Sequence, residues 1–240
     1  MAPRLSALPS YMTQPPASGI GVVVGLAAEA RLARPLGLSV AIGGGTDAGA
    51  EAAAARLIRG GATGLISFGL AGGLDPALRP GAIVVPRAII TDGRTIATDL
   101  ALSAALGGPT PHMVLGADTI AADAETKRRL RAETGAEAID LESGAVARMA
   151  DAHGLPCAAI RVVCDPAERT LPPAALAALN ASGATLSTSS YESETAGGNR
   201  TVTAGRAVSA VPEPKTFSFV GGLLALTLLT PKLRKRLSRS

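Results

Sequence analysis

The stretch SFGLAGGLDPALRPGAIVV, residues 67–85, sets a glycine-rich turn between two apolar runs and carries almost no charge. Glycine suits backbone that must bend to positive φ or that another group approaches closely. Gly69, Gly72 and Gly73 follow what reads as a buried strand, GLISFG. In an α/β protein, ligands bind outside the carboxyl ends of the strands. A tight strand connection with nothing bound would use the same residues, so the stretch by itself leaves both readings open.

Outward from it, short β-branched runs alternate with alanine-rich helical stretches. GIGVVVG (19–25) reads as a buried strand, AAEARLAR (27–34) as the start of a helix, and LSVAIGGG (38–45) as a strand entering a glycine turn. Thr46 or Asp47 can cap a helix running to Arg59, which Gly60 and Gly61 stop. GAIVV and RAIIT read as further strands. DAETKRRLRAET (123–134) reads as a surface helix ended by Gly135, with Lys127, Arg128, Arg129 and Arg131 on a solvated face. AEAIDLE is a strand running into a helix, SGAVARMADAH, stopped by Gly154, and PCAAIRVVCD (156–165) is a last buried strand. This alternation, with many strands apolar on both faces, predicts an α/β sheet covered by helices on both sides.

A chain of 240 residues has room for one substantial domain and an appendage. Aromatic residues are 2% and Trp is absent, so the core is aliphatic and the usual platforms for stacking nucleic-acid bases are missing. The net charge of +4 sits at the end of the chain: residues 211–240 hold six Lys or Arg against Glu213 alone, leaving the remainder at −1. Nucleic acid is therefore not an expected partner of the body. Cys157 and Cys164 share one extended run, about 23 Å apart at strand rise, too far for a disulfide. Residues 1–18 lack an apolar signal-peptide core and read as a disordered leader.

Two further segments carry chemistry. In AIDLESG, Asp140 and Glu142 are two positions apart at a strand end, which puts them on one side while Leu141 points away. They either cap the next helix in solvent or accept hydrogen bonds from a polyhydroxylated ligand. In AIRVVCDP, an apolar strand holds one charge, Arg161, and delivers Asp165 at its carboxyl end. Asp165 is either part of an Asp-Pro turn or a proton donor to a leaving group. His112 and His153 have no partner at metal spacing, and no metal is expected.

Taken together, these segments resemble the nucleoside phosphorylase and nucleosidase superfamily over residues 19–180. FGLAGGLDPALRPGAIVV resembles that family's T-G-S-A-G-G-L turn and following G-D-I-V-V strand, Asp140-Leu141-Glu142 its E/D-M-E element, and Arg161 to Asp165 its R-x-x-S-D element. Within it, S-F-G-x-A-G-G-L and D-P-A…L-P-P resemble the hopanoid-associated phosphorylases. The resemblance implies a mixed central sheet flanked by helices and cleavage of an N-glycosidic bond in an adenine nucleoside, with adenosyl-hopane as one candidate. Asp165 would act on the purine N7 and Glu142 would bind the ribose hydroxyls beside Leu141, Asp140 and Arg161. The backbone of Ala71, Gly72 and Gly73 would floor the pocket, and Glu29 would activate water. No cofactor is implied. Inorganic phosphate is the alternative co-substrate, for which Gly43, Gly44 and Gly45 could offer backbone N–H groups, and water and phosphate both stay open as nucleophile. Leu70 stands where many relatives carry Ser, Cys164 replaces the Ser before the acid, and Glu29 comes one residue early. After Asp165 only PPAALAAL stands where the family has a covering helix.

Residues 181–210 are rich in Ser, Thr and Gly and read as a linker. VPEPKTFSFVGGLLALTLLTPKLRKRLSRS (211–240) resembles a PEP-CTERM sorting signal. Its apolar run, Phe217 to Thr230, would span about 21 Å as a helix, and the basic end favours the cytoplasmic side of a membrane. The resemblance implies a bacterial inner membrane and an exosortase as partners, whereas the family of the body is cytoplasmic. A nucleoside substrate and a second copy of the body complete the expected partners.

Overall fold

A computed structural model describes residues 19–171. The expectations for the leader, the linker and the PEP-CTERM-like segment lie outside these residues. Among the described residues, no helix is long and apolar enough to cross a membrane.

The described residues form a mixed nine-stranded sheet with helices on both faces. Its strands are β1 (Ile20–Val24), β2 (Ser39–Ile42), β3 (Gly64–Gly73), β4 (Ile83–Val84), β5 (Ala88–Thr91), β6 (Arg94–Ala97), β7 (Met113–Gly116), β8 (Ala138–Asp140) and β9 (Cys157–Asp165). The helices are α1 (Ala27–Ala33), α2 (Asp47–Arg59), α3 (Leu100–Ala105), α4 (Ala124–Thr134) and α5 (Ser143–Ala152). The order β2-β1-β3-β8-β7-β5-β6 runs across the sheet, and β9 pairs with both β3 and β4. Most pairings are parallel; β3 with β8, β5 with β6 and β4 with β9 are antiparallel.

Alternation along the strands divides the core. Val22, Val24, Ile66, Phe68, Ile160 and Val162 pack with Ala30 and Ala33 of α1. Val23, Leu65 and Ala159 pack with Ala50, Ala53, Ala54 and Leu57 of α2 and with Ala145, Val146, Ala147 and Ala150 of α5. Each large aliphatic side chain removed from water contributes about 1.5–3 kcal/mol. Alanine-lined helices can lie close to the sheet, and where α5 begins the approach is backbone to backbone: a Cβ on Gly144 would lie 3.0 Å from the Gly116 carbonyl oxygen.

Local signals set the helix ends. The Thr46 hydroxyl accepts the Gly49 N–H at the start of α2, and the Asp123 carboxylate accepts the Thr126 N–H at the start of α4. Gly135, at φ 72°, ends α4 in the left-handed conformation.

The opening stretch differs from expectation. Gly69, Gly72 and Gly73 are not a turn: β3 continues through Gly73, and none of the three has positive φ. The turn follows, from Leu74 to Gly81, and only Ile83–Val84 of GAIVV is strand. Pairing with β9 from Gly69 to Gly72 and with β8 at Gly72 and Gly73 keeps the glycine segment extended, a long-range cause that local composition does not reveal. Strands β6 and β7 and helix α3 lie where no element was expected.

Candidate functional site

The site opens where the sheet divides. One edge of β3 pairs with β1 through Ser67 and with β8 from Gly72, and between them that edge has no strand partner among the described residues. β9 runs along the other edge. Divergence of neighbouring strands makes the crevice in which α/β proteins bind ligands.

Glu29 fills part of this gap. It lies one turn into α1, and its Oε2 accepts the N–H groups of Gly25 (2.9 Å) and Leu26 (2.8 Å) at the start of its own helix. Its Oε1 accepts the Leu70 N–H (2.9 Å), an amide left free by the divided edge. Burial raises the Glu29 pKa, against the Leu26 hydrogen bond, the charge of Arg161 and the Leu70 and Gly25 hydrogen bonds. This geometry also accounts for Gly69. A Cβ there would lie 2.6 Å from Glu29 Oε1 and 2.8 Å from Arg161 Nη1. The glycine admits polar side chains of the protein rather than a bend.

Arg161 is fully buried on β9. Its Nε donates to Asp140 Oδ2, and Nη2 donates to the hydroxyls of Ser67 and Ser143 and lies 3.8 Å from Glu142 Oε2. Burial opposes its charge, but Asp140, Glu142 and Glu29 more than compensate and raise its pKa. Nη1 has no hydrogen-bond partner in the described structure.

Asp140 is buried as well, and it takes the capping role. Its Oδ1 accepts the N–H groups of Glu142 (2.8 Å) and Ser143 (2.7 Å), and its Oδ2 accepts the Ser143 hydroxyl (2.6 Å). The expected same-side placement of Asp140 and Glu142 does not hold as strand alternation. The strand ends at Asp140, and Glu142 has φ −120° and ψ −32°, outside the extended region. Asp140 therefore turns back to α5 and Arg161, while Leu141 and Glu142 both reach the cavity. Burial pushes the Glu142 pKa up to about 8, against the pull of Arg161, with Asp140 and Glu29 adding to the rise.

Asp165 arrives through an irregularity. Ala71 pairs with Val163 but Gly72 pairs with Asp165, so Cys164 is an extra residue in β9. Such a bulge re-aims the side chains beside it, and Cys164 and Asp165, consecutive in the chain, both line the cavity. Asp165 Oδ2 accepts a hydrogen bond from Lys127 Nζ, whereas the buried Oδ1 has no partner in the described structure. Burial raises the Asp165 pKa, opposed by the hydrogen bond and charge of Lys127 and the charge of Arg169.

Lys127 overturns the expectation of a solvated face. It is 0% exposed, donating also to the carbonyls of Pro166 (3.0 Å) and Arg169 (2.8 Å). Four charged residues of five in Lys127–Arg131 suggested a surface. The missed signal was spacing: Lys127 lies one turn before Leu130, the one large aliphatic residue of α4, on the inward stripe. With the Leu171 N–H on the Ala122 carbonyl (2.7 Å), Lys127 pins the segment after β9 to the entrance of α4.

These elements enclose a cavity of about 110 Å³, with Glu29, Glu142 and Asp165 as its charged lining and Leu26, Leu70, Ile120, Leu141 and Leu171 among its apolar walls. Of the expected site residues, Ala71, Gly72 and Gly45 also line it. Asp140, Arg161, Gly43, Gly44 and Gly73 do not. The first two form the buried support beneath the carboxylates, and Gly73 is a paired strand residue backed by Val163 and the Ala167 backbone. Gly43 is pressed against the α2 backbone, where a Cβ would lie 2.9 Å from Ala50. The cavity is smaller than the several hundred Å³ common for ligand pockets, so a whole nucleoside would also occupy space at its mouth. A second cavity, about 410 Å³, lies across the 117–121 loop, where Arg148 is already paired with Asp47 and Asp92. No cluster of His, Cys, Asp or Glu among the described residues could hold a metal ion. Both cysteines are free thiols, pushed up to about 12 by burial.

The family model described as Phosphorylase superfamily matches residues 37–111 and 110–189. No curated protein matches the chain significantly. Among solved structures, a 5′-methylthioadenosine/S-adenosylhomocysteine nucleosidase from Helicobacter pylori superposes with a TM-score of 0.65 at 15% identity, covering 92% of this chain and 98% of its own. The futalosine hydrolase of the same organism gives 0.64 at 16% identity, covering 92% and 97%. A nucleosidase from Colwellia psychrerythraea, in complex with adenine, gives 0.58 at 20% identity, covering 68% and 89%. At these identities the likeness establishes the fold.

Proposed function

The chain belongs to the phosphorylase superfamily, and from that premise we propose that its cavity cleaves the N-glycosidic bond of a nucleoside. The observation that carries this reading is the meeting of three buried carboxyl groups, Glu29, Glu142 and Asp165, in one cavity beside the backbone of Leu70 to Gly72. Breaking the bond puts positive charge on the sugar and negative charge on the base. Asp165 keeps one oxygen, Oδ1, without a protein partner, and its raised pKa favours the protonated form that donates to the purine N7. Glu142 accepts hydrogen bonds from the ribose, and the cationic sugar of the transition state favours its ionised form. Glu29 takes the proton of the attacking water.

The lining favours water over phosphate. Among the described residues no Lys or Arg side chain lines the cavity to balance the charge of a dianion. Apolar walls from Leu26, Leu70, Leu141 and Leu171 suit a hydrophobic 5′ substituent. We therefore favour an adenine nucleoside of that kind, adenosyl-hopane included. The similarity to a nucleosidase in complex with adenine agrees with this choice of base.

The test is adenine release from 5′-methylthioadenosine and from adenosine, with and without inorganic phosphate. Release independent of phosphate is expected. Asp165→Asn should lose about 10²-fold or more of the activity while keeping the far-ultraviolet circular dichroism of the parent, and full turnover in that variant would refute the assignment of the acid. The Val-Pro-Glu-Pro motif, apolar run and basic end of residues 211–240 support a separate proposal, sorting to a bacterial inner membrane with cleavage by an exosortase. In that setting the body would bind its ligand without turnover. Ligand binding with no base release would favour it, and an intact mass of the native protein that includes the uncleaved segment would count against processing.

A further inference from the structure

We propose that Lys127 is a positioning residue for the acid: its ammonium group holds Asp165 through Oδ2 and so fixes the carboxyl that meets the leaving base. This role rests on the nucleoside cleavage proposed above. Lysine is almost never fully buried unless it is paired, and Lys127 is 0% exposed. Its three acceptors, Asp165 Oδ2 and the Pro166 and Arg169 carbonyls, match the three protons of an ammonium. No proton is left for a ligand, and Lys127 does not line the cavity. It therefore acts through Asp165.

Two consequences follow for the carboxyl. With Oδ2 engaged, rotation about the terminal bond of Asp165 would break a buried charge-assisted hydrogen bond, which leaves Oδ1, the oxygen without a partner in the described structure, for the base. A positive charge at this distance also stabilises the ionised form, so burial cannot raise the proton affinity of Asp165 without limit. An acid held in this way can both donate its proton and recover one in each cycle. The other groups facing Asp165 are Arg169 from the segment after β9, the Cys164 thiol beside it, and Glu29 and Glu142 across the cavity. The bond from Lys127 to the Asp165 carboxyl is direct.

The test uses the full-length protein, with the Asp165 carboxyl followed by carbon-13 NMR and adenine release from 5′-methylthioadenosine followed against pH. In Lys127→Met the Asp165 midpoint should rise by about one pH unit or more, and the alkaline limb of kcat/KM should move up with it. Lys127→Arg keeps the charge and should hold both near the parent values. A Met variant with the parent midpoint and limb would overturn the proposal, however much kcat falls. Should that variant not fold, the nitrogen-15 signal of Lys127 Nζ in the parent and in Asp165→Asn decides instead. It should shift on loss of the carboxylate, and an unchanged signal refutes the pairing. If the parent releases no base from any nucleoside, the proposed function fails, whereas the carboxyl midpoint still reports on Lys127.

Discussion

Replacing Gly69 by alanine tests the support of the site with one methyl group. The backbone there is extended β3 without positive φ, so alanine costs no backbone strain and should contribute about 0.4–1 kcal/mol by restricting the unfolded chain. Against this, the new Cβ would lie 2.6 Å from Glu29 Oε1, 3.0 Å from Glu29 Cδ and 2.8 Å from Arg161 Nη1. Neither neighbour can swing away freely. Glu29 is held by three backbone N–H groups, and Arg161 by Asp140, Ser67 and Ser143. Overpacking of a rigid interior costs about 1–3 kcal/mol; with contacts this short at two held side chains the upper part of that range, about 2–3 kcal/mol, applies, and the entropic gain leaves a net loss of about 1–2 kcal/mol. For a domain of this size that is a fall in Tm of about 2–8 °C. The larger effect should fall on turnover, because displacing Glu29 from the Leu70 N–H by about 1 Å can cost about 10²-fold. Thermal unfolding and base release measured on one preparation give both numbers. A Gly69→Ala protein with the parent Tm and turnover would refute the view that this glycine exists to admit the two side chains.

Two further outcomes are expected. The Glu142 carboxyl holds its proton more tightly when folded, at about 8 against an ordinary 4.5. Its contribution to stability is therefore complete below the ordinary value and is lost as pH rises through the folded one. Glu142→Gln has no such loss, so its Tm relative to the parent should climb between about pH 5 and about pH 9; a pH-independent difference would contradict this. Cys157 and Cys164, both pushed up to about 12 by burial, should resist a thiolate-directed reagent at about pH 8 until the protein unfolds, and rapid labelling of the native protein would show that the β9 thiols are not shielded.

How much of this was legible in the sequence can be seen residue by residue. The cap at Thr46, one of the two residues expected there, and the stop at Gly135 are local hydrogen-bonding and φ preferences, and they hold in the structure. So does the alternation of aliphatic strands with alanine-rich helices, because burying two sheet faces imposes it wherever the fold occurs. The order of the glycine stretch, the Asp140–Glu142 segment and the Arg161–Asp165 strand was equally plain, and their convergence was an expectation from resemblance. Arg161 announced itself as one charge in an apolar strand, but not that it lies beneath the cavity instead of in its wall.

Register and pairing decided the rest. Whether Gly69 to Gly73 bend or stay extended depends on β8 and β9, whose residues are far away in the chain. The extra residue at Cys164 is defined only against Ala71 and Gly72 on the neighbouring strand, and it sets the direction of Asp165. Lys127 reads as one base among several until the fold brings it against an acid 38 residues away. Composition and periodicity act over one or two turns of chain and so determined the elements and their inward faces. The charge pairs, the divided strand edge and the cavity between them are contacts over long separations, and only the packed tertiary structure could select them.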